Sequence, residues 1–280
     1  MRKITDLIKL QEKALELKVN VIRMLDKADA GHVGGAFSMT DLMVALYYNI
    51  AKVDPENPDW KLRDYILVSN GHTCPIWYAI LADLGFFPKE ELQHLRQIDH
   101  MLQGHPLLGI PGVENSSGPL GHGLSQAVGI ALGLQMDHRK NRVFCFLSDS
   151  EHQEGQTWEA IMSAAKWELD NLVAIVDHNG VQIEGWNYQI MPLGDLKAKY
   201  QSFGWRVLTC NGHDYDDLLA AYQHALTLEF PAVIIAETVS GKDVSFMENK
   251  YLYHDWKDDS KLTHQALFDL ERKIKELRKL

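Results

Sequence analysis

The sequence predicts an α/β fold, a doubly wound and mainly parallel sheet with helices on both faces, on three observations. Short wholly apolar runs at residues 143–147, 172–176 and 232–236 suit parallel strands covered on both sides. Helical patterns alternate with these runs, the order produced when crossover helices join parallel strands. A chain of 280 residues with 46% hydrophobic and 24% charged content can bury a substantial core, and nothing in it demands a linker.

Taken in order, Leu7, Leu10, Ala14, Leu17, Val21 and Leu25 recur at helical spacing and predict a long first helix ending near Asp29-Ala30-Gly31. A second helix is expected over 39–49, capped by Ser38 or Thr40. Residues 64–69 read as a strand, and a helix over 75–84 begins just after Gly71-His72. Residues 89–97 read as helical. The passage 104–123 is rich in Gly and Pro without a regular pattern, and an Ala- and Gly-rich helix follows over 124–136. The strand at 143–147 stops at Ser148-Asp149-Ser150. A helix then starts at Glu154-Gly155, with Trp158, Ile161, Met162, Ala165 and Trp167 on its apolar face. The next strand, 172–176, stops at Asp177-His178-Asn179. Helices at 196–203 and 215–228 and strands at 206–208 and 232–237 continue the alternation. An amphipathic helix over 262–280, with Leu267, Leu270, Ile274 and Leu277 on one side, is expected to dock on the same domain. The chain 1–280 therefore reads as a single domain, with 241–280 as a C-terminal loop and helix.

The balance of 28 basic against 38 acidic side chains gives a net charge of -10, and no concentrated basic face stands out, which argues against nucleic acid as a partner. No stretch is long and apolar enough to span a bilayer, and the first residues lead into a charged amphipathic helix. A soluble, cytoplasmic protein with no membrane partner is expected. Cys74, Cys145 and Cys210 are widely spaced and suggest neither a disulfide framework nor a zinc site.

In an open parallel sheet the ligand crevice lies beyond the carboxyl ends of the strands, so Asp149 and Asn179 are expected to project into one pocket. Both offer hard oxygens. Magnesium takes six oxygens at roughly 2.0–2.1 Å and commonly completes its shell with substrate phosphates. A main-chain carbonyl just past Asn179, that of Val181, would add a ligand without adding charge. Each residue alone would also serve as a helix cap (Asp149) or a turn (Asn179). Two such residues at two strand ends of one strand-helix-strand unit favour the ion.

Gly-His pairs stand at Gly31-His32, Gly71-His72, Gly104-His105, Gly121-His122 and Gly212-His213. Glycine lets backbone approach a ligand while the neighbouring imidazole reaches it. A loop histidine is more often merely hydrogen bonded, but His32, His72 and His105 sit at junctions from which they can converge on the crevice of Asp149. Ser116-Ser117-Gly118-Pro119-Leu120-Gly121-His122-Gly123 feeds a helix N-terminus and can present amides to an anion, as a plain surface loop also can.

Five ordered motifs now carry a resemblance: Gly31-His32-Val33-Gly34-Gly35, Ser69-Asn70-Gly71-His72, Gln103-Gly104-His105-Pro106, Ser117 through Gly123, and Asp149 through Gly155 followed by Asp177-His178-Asn179. Together they resemble the cofactor-binding N-terminal half of transketolase over nearly the whole chain. The resemblance implies the diphosphate-binding domain of the thiamine diphosphate fold, with thiamine diphosphate and Mg²⁺ or Ca²⁺ bound. It implies metal ligation by Asp149, Asn179 and the Val181 carbonyl. Diphosphate would be held by His72 and the backbone at Ser150, and the cofactor rings would lie between Gly118 and Leu120. His32, His105 and His254 would surround the reactive carbon as catalytic groups. Glu154 matches an acid that pairs across a subunit interface, and Phe246-Met247-Glu248-Asn249 matches the loop leading to the last histidine.

The sequence departs from that family pattern in two places. Ser148-Asp149-Ser150 stands where Gly-Asp-Gly is usual, and His254 is followed by Asp255-Trp256 instead of glycine. The pyrimidine-binding half of a transketolase has no counterpart here. The function implied is that of the N-terminal subunit of a split transketolase. It would move a two-carbon ketol unit from a ketose phosphate to an aldose, with a separate C-terminal subunit in an α2β2 assembly. Two other readings compete. One is the alpha subunit of a thiamine-dependent 2-oxoacid dehydrogenase, against which the Gly-His motifs and Phe246-Met247-Glu248-Asn249 argue. The other is a non-catalytic cofactor-binding or scaffold protein, against which the retention of Asp149, Glu154, Asn179 and the histidines argues.

Overall fold

The computed structural model describes residues 3–256 and 259–279. Strands β1 (Tyr65–Val68), β2 (Val143–Ser148) and β3 (Leu172–His178) lie side by side, and a small antiparallel hairpin of β4 (Val181–Gln182) and β5 (Gly185–Trp186) follows. The chain then skips to the sheet edge as β6 (Arg206–Asn211) and returns as β7 (Ala232–Glu237) between β6 and β3. The order β1-β2-β3-β7-β6 is parallel throughout.

Successive strand side chains point to opposite faces, and the sequence is apolar toward both. Phe144, Phe146, Val173, Ile175 and Ile234 face one core, which is closed by α1 (Leu7–Ala28), α2 (Gly34–Ser38), α3 (Thr40–Ala45), α4 (Cys74–Leu84), α9 (Tyr215–Ala225) and α10 (Ser260–Leu277). Cys145, Leu147, Ala174, Val176, Val233 and Ile235 face the other, closed by α5 (His122–Met136), α6 (Gly155–Lys166) and α8 (Leu196–Ser202). Each large side chain buried in this way stabilises the fold by about 1.5–3 kcal/mol. The connection changes face where the strand order reverses: α6 covers one side after β2 and α9 the other after β6. That reversal opens a crevice between the carboxyl ends of β3 and β7.

Several element boundaries differ from the sequence expectation. The helix expected over 39–49 starts earlier, at Gly34, because the Val33 and Gly34 amides donate to the His254 carbonyl at 3.0 and 3.4 Å, and it breaks at Met39 into α2 and α3 before a π turn at Leu46–Ile50. Residues 89–97 form only a 3-10 turn, Lys89–His94, since the Arg96 amide turns away to the Leu102 carbonyl at 2.7 Å with φ 61°. Strand β6 continues to Asn211 because its ladder with β7 carries the polar Thr209 and Asn211 along. The hairpin and the short α7 (Asn187–Ile190) lie beyond the sequence expectation.

Helix α10 packs on α1, burying Ala266, Leu270 and Ile274, while Arg278 binds Glu12 and Glu16. Lys18 of α1 is fully buried and meets Asp243 at 2.6 Å, which Lys273 of α10 also reaches at 2.8 Å. Among the described residues no helix is long and apolar enough to cross a membrane.

Candidate active site

A cavity of about 420 Å³ opens at the carboxyl ends of the parallel strands. The exit of β1 supplies Asn70, His72 and Thr73, and the exit of β2 supplies Ser148, Ser150, Gln153 and Glu154. Asp177 and Asn179 come from the end of β3 and the turn after it, Val181 from the start of β4, and Ser240 from beyond β7. His32 and Gly35, His105, Gly118 with Leu120, His254, and Gln182, Ile183 and Glu184 of the hairpin complete the wall. Every residue named from the sequence as a site residue lines this cavity except Asp149, which is fully buried just behind it.

Four histidines converge. The His32 ring lies 5.1 Å from His72, 5.3 Å from His254 and 6.4 Å from His105, centroid to centroid, and His72 lies 5.3 Å from His254. Burial, reinforced by the neighbouring His254, pushes the His32 pKa down to about 4. Burial likewise lowers His72, His254 and His105, the last with help from Arg96. All four imidazoles are therefore neutral at pH 7, the form able to accept a proton. Asp255 stands at the rim with its Oδ1 at 3.3 Å from His32 Nε2.

Behind the cavity wall, Asp149 accepts from the Ser150 and Gly180 amides, both at 2.7 Å, which ties the β2 exit to the turn after β3. Burial raises its pKa. Asn179 accepts from the Val181 amide at 2.9 Å and donates to Asp177 at 2.9 Å. Asp177 also accepts from Ser38 at 2.6 Å and from Thr238, and burial pushes its pKa up to about 6. The Asp149 carboxylate and the Asn179 carboxamide are thus both fastened to the turn 179–181, Asp149 through the Gly180 amide and Asn179 through the Val181 amide. Carboxylate and carboxamide oxygens fit a hard divalent ion.

The glycine loop is held from below. Gly121 has φ 81°, and a Cβ on Gly123 would lie 2.5 Å from Ser69 Cα, so both positions require glycine. The Gly123 amide donates to Ser69 Oγ at 3.0 Å, and Ser69 donates in turn to Glu151. Glu151 also accepts from the Gly121 amide at 2.6 Å, and burial pushes its pKa up to about 7.

The profile of the family described as "Transketolase, thiamine diphosphate binding domain" matches residues 11–260. This chain belongs to the transketolase family. It is 39% identical over 269 residues to the 6-deoxy-6-sulfo-D-fructose transketolase subunit SqwG of Clostridium sp. (strain MSTE9), covering 94% of this chain and 98% of that one. It is 34% identical over 276 residues to an apulose-4-phosphate transketolase subunit of Phocaeicola vulgatus, covering 96% and 98%. The crystal structure of transketolase from Campylobacter jejuni superposes with a TM-score of 0.88 at 27% identity, covering 99% of this chain and 48% of that one. The chain thus spans about half the length of the solved transketolases it matches.

Within this transketolase domain, sequence reasoning gave no part in the cavity to Asp177, Glu151, Asn70 or Ser38, the last of which it had offered only as a helix cap, and all four support or line it. A carboxylate following an apolar strand run is a usable signal for Asp177. Besides the nearby Ser148 amide, the partners of the Glu151 carboxyl lie 30 and 82 positions away, and no local pattern reports those two.

Proposed function

We propose that this chain is the diphosphate-binding subunit of a two-chain transketolase. It acts with a separate subunit carrying the pyrimidine-binding domain, in an assembly of two copies of each. The reaction is transfer of a two-carbon ketol unit from a ketose phosphate to an aldose. One observation carries the reading: the chain covers 98% of two relatives named as transketolase subunits, but 43% of the transketolase of Pongo abelii.

Bound thiamine diphosphate supplies the thiazolium that takes up the electron pair when the carbon–carbon bond beside a carbonyl breaks. Its fit is supported by the oxygen donors of Asp149 and Asn179 and by Asn70 Oδ1, a buried acceptor on a cavity-lining residue that has no partner among the described residues. Asp149, Asn179 and the Val181 carbonyl would hold Mg²⁺, or Ca²⁺, against the diphosphate. His72 and the backbone at Ser150 would hold diphosphate oxygens, and Gly118 and Leu120 would flank the rings. His32, His105 and His254 exchange protons with substrate hydroxyls, a task suited to neutral imidazoles. Glu154, exposed beside Gly121, faces the partner subunit.

The test is reconstitution. The chain is assayed with cofactor, magnesium, a ketose phosphate and an aldose phosphate, first alone and then with the product of the neighbouring gene. Turnover only in the mixture supports the reading. Robust turnover by the chain alone overturns the split assembly, and cofactor binding without turnover in the mixture favours a scaffold.

A further inference from the structure

His32, His254 and Asp255 each place a ligand atom within 4.8 Å of those of the other two. We propose that these three side chains form a second metal site, for a transition ion of the zinc type, at the rim of the cavity.

The geometry fits such an ion. Zinc–ligand distances of about 2.0–2.2 Å in a tetrahedron place neighbouring ligand atoms about 3.4 Å apart. His32 Nε2 and Asp255 Oδ1 are separated by 3.3 Å. The ligands are also held in place without an ion. His32 and Asp255 form an antiparallel backbone bridge, the Trp256 amide donates to the Gly31 carbonyl at 2.7 Å, and the Val33 amide donates to the His254 carbonyl at 3.0 Å. The Asp255 side chain is 60% exposed, so an ion arrives from solvent and keeps a coordination position for water.

Donor chemistry separates this site from the one behind it. Two imidazoles and one carboxylate suit zinc, cobalt or nickel, whereas the oxygens of Asp149, Asn179 and Val181 suit magnesium. The two donor sets therefore sort metals by softness. If the ketol-transfer reading holds, a zinc ion at the rim withdraws two of the proton-handling histidines and inhibits turnover.

Cobalt(II) reports the site directly, because four-coordinate cobalt has strong visible bands and six-coordinate cobalt does not. The full chain, without thiamine diphosphate and in excess magnesium, is titrated with cobalt. One equivalent of four-coordinate cobalt is expected. His254→Ala should abolish it, and Asp255→Asn, which removes a ligand, should weaken it by more than the about 10- to 100-fold that loss of a group merely supporting a ligand costs. The surface pair His94 and His100, stacked at 4.0 Å beside Glu91, is the competing location, and His100→Ala should leave the signal unchanged. A six-coordinate spectrum, an unchanged titration in His254→Ala or Asp255→Asn, or loss of the signal in His100→Ala overturns the proposal. The spectrum needs no turnover, so its outcome is read separately from the activity assay.

Discussion

The buried carboxyl of Glu151 accepts the Gly121 amide at 2.6 Å, so the loop that borders the cavity is anchored to the exit of a strand 30 positions further on. Through Ser69 the same carboxyl reaches the Gly123 amide. Leaving a buried donor unmade costs about 1–3 kcal/mol. Glu151→Ala is therefore expected to lower stability by about 2–4 kcal/mol and to speed amide hydrogen exchange at residues 121–123 beyond the change elsewhere. Uniform acceleration along the whole chain would mean that Glu151 supports the fold without clamping the loop.

Metal removal should separate the two roles open to Asp149. As a ligand, it makes thiamine diphosphate binding depend on a divalent ion, and calorimetry after EDTA treatment should show no binding until magnesium is restored. Asp149→Ala should behave like permanent EDTA. Its amide partners Ser150 and Gly180 would also lose their acceptor, so the variant is compared with wild type by circular dichroism before binding is read. Undiminished binding in EDTA sinks the metal assignment and leaves Asp149 as a loop brace.

His105→Ala is expected to slow ketol transfer in the reconstituted enzyme by about 10²- to 10⁴-fold, the usual contribution of a general acid–base group. The dissociation constant of the cofactor should change little, because His105 packs 6.4 Å from His32, ring to ring, and is not among the residues proposed to hold the diphosphate or the metal. Steady-state kinetics and calorimetry on the same preparation provide the comparison, and equal small effects on both refute the role.

Asp177 gives a pH signature with a definite sign. Its folded pKa, raised from 3.8 to about 6 by burial, means that the folded state holds a proton the unfolded state has released. The stability it contributes is full below 3.8 and is lost as the pH rises through about 6. Two pKa units correspond to about 3 kcal/mol. Asp177→Asn, which can still accept from Ser38 or Asn179, should therefore exceed wild-type stability by up to about 3 kcal/mol at pH 8 and by less at pH 5. Urea unfolding at the two pH values measures the difference, and a gap that widens toward pH 5 contradicts the assignment.

The two serines flanking Asp149 should respond differently. Ser148 is tied into the 3-10 turn at Ser150–Gln153, its Oγ accepting from the Glu151 amide at 3.3 Å, so Ser148→Gly should cost about 1 kcal/mol, the net worth of one hydrogen bond. Ser150 lines the cavity with its amide committed to Asp149, and Ser150→Gly should tighten cofactor binding by admitting closer approach. Thermal melts and calorimetry on the single variants decide this, and weakened binding in Ser150→Gly would show its hydroxyl to be a ligand.

The central strands are legible because burial on both faces makes them apolar at every position, as at residues 143–147. The same rule hides the end of β3, where Asp177 and His178 are polar yet remain in the ladder opposite Ala236 and Glu237. The early start of α2 depends on the His254 carbonyl, a partner more than two hundred positions away that no local window can include. The Gly-His pairs point to His32, His72 and His105, and the structure brings these together with His254. In the sequence Asp255 stands out only as a departure from a pattern, since its approach to His32 follows from tertiary pairing.

Ser38 and Asp177 are joined across 139 positions, Asn179 and Ser38 across 141, and the backbone bridge from His32 to Asp255 spans most of the chain. Such contacts are slow to close, since loop entropy is lost before any of them gains. A nascent chain emerging from the ribosome therefore owns no part of a finished cavity until the segment around residue 255 has been synthesised. Cofactor capture is then a post-translational event, and a cofactor present at 100 times its dissociation constant adds about 2.7 kcal/mol to the whole sheet at once. In a cell short of thiamine, the first symptom in this protein would be a larger unfolded fraction open to proteolysis, ahead of any change in the intrinsic rate of loaded molecules.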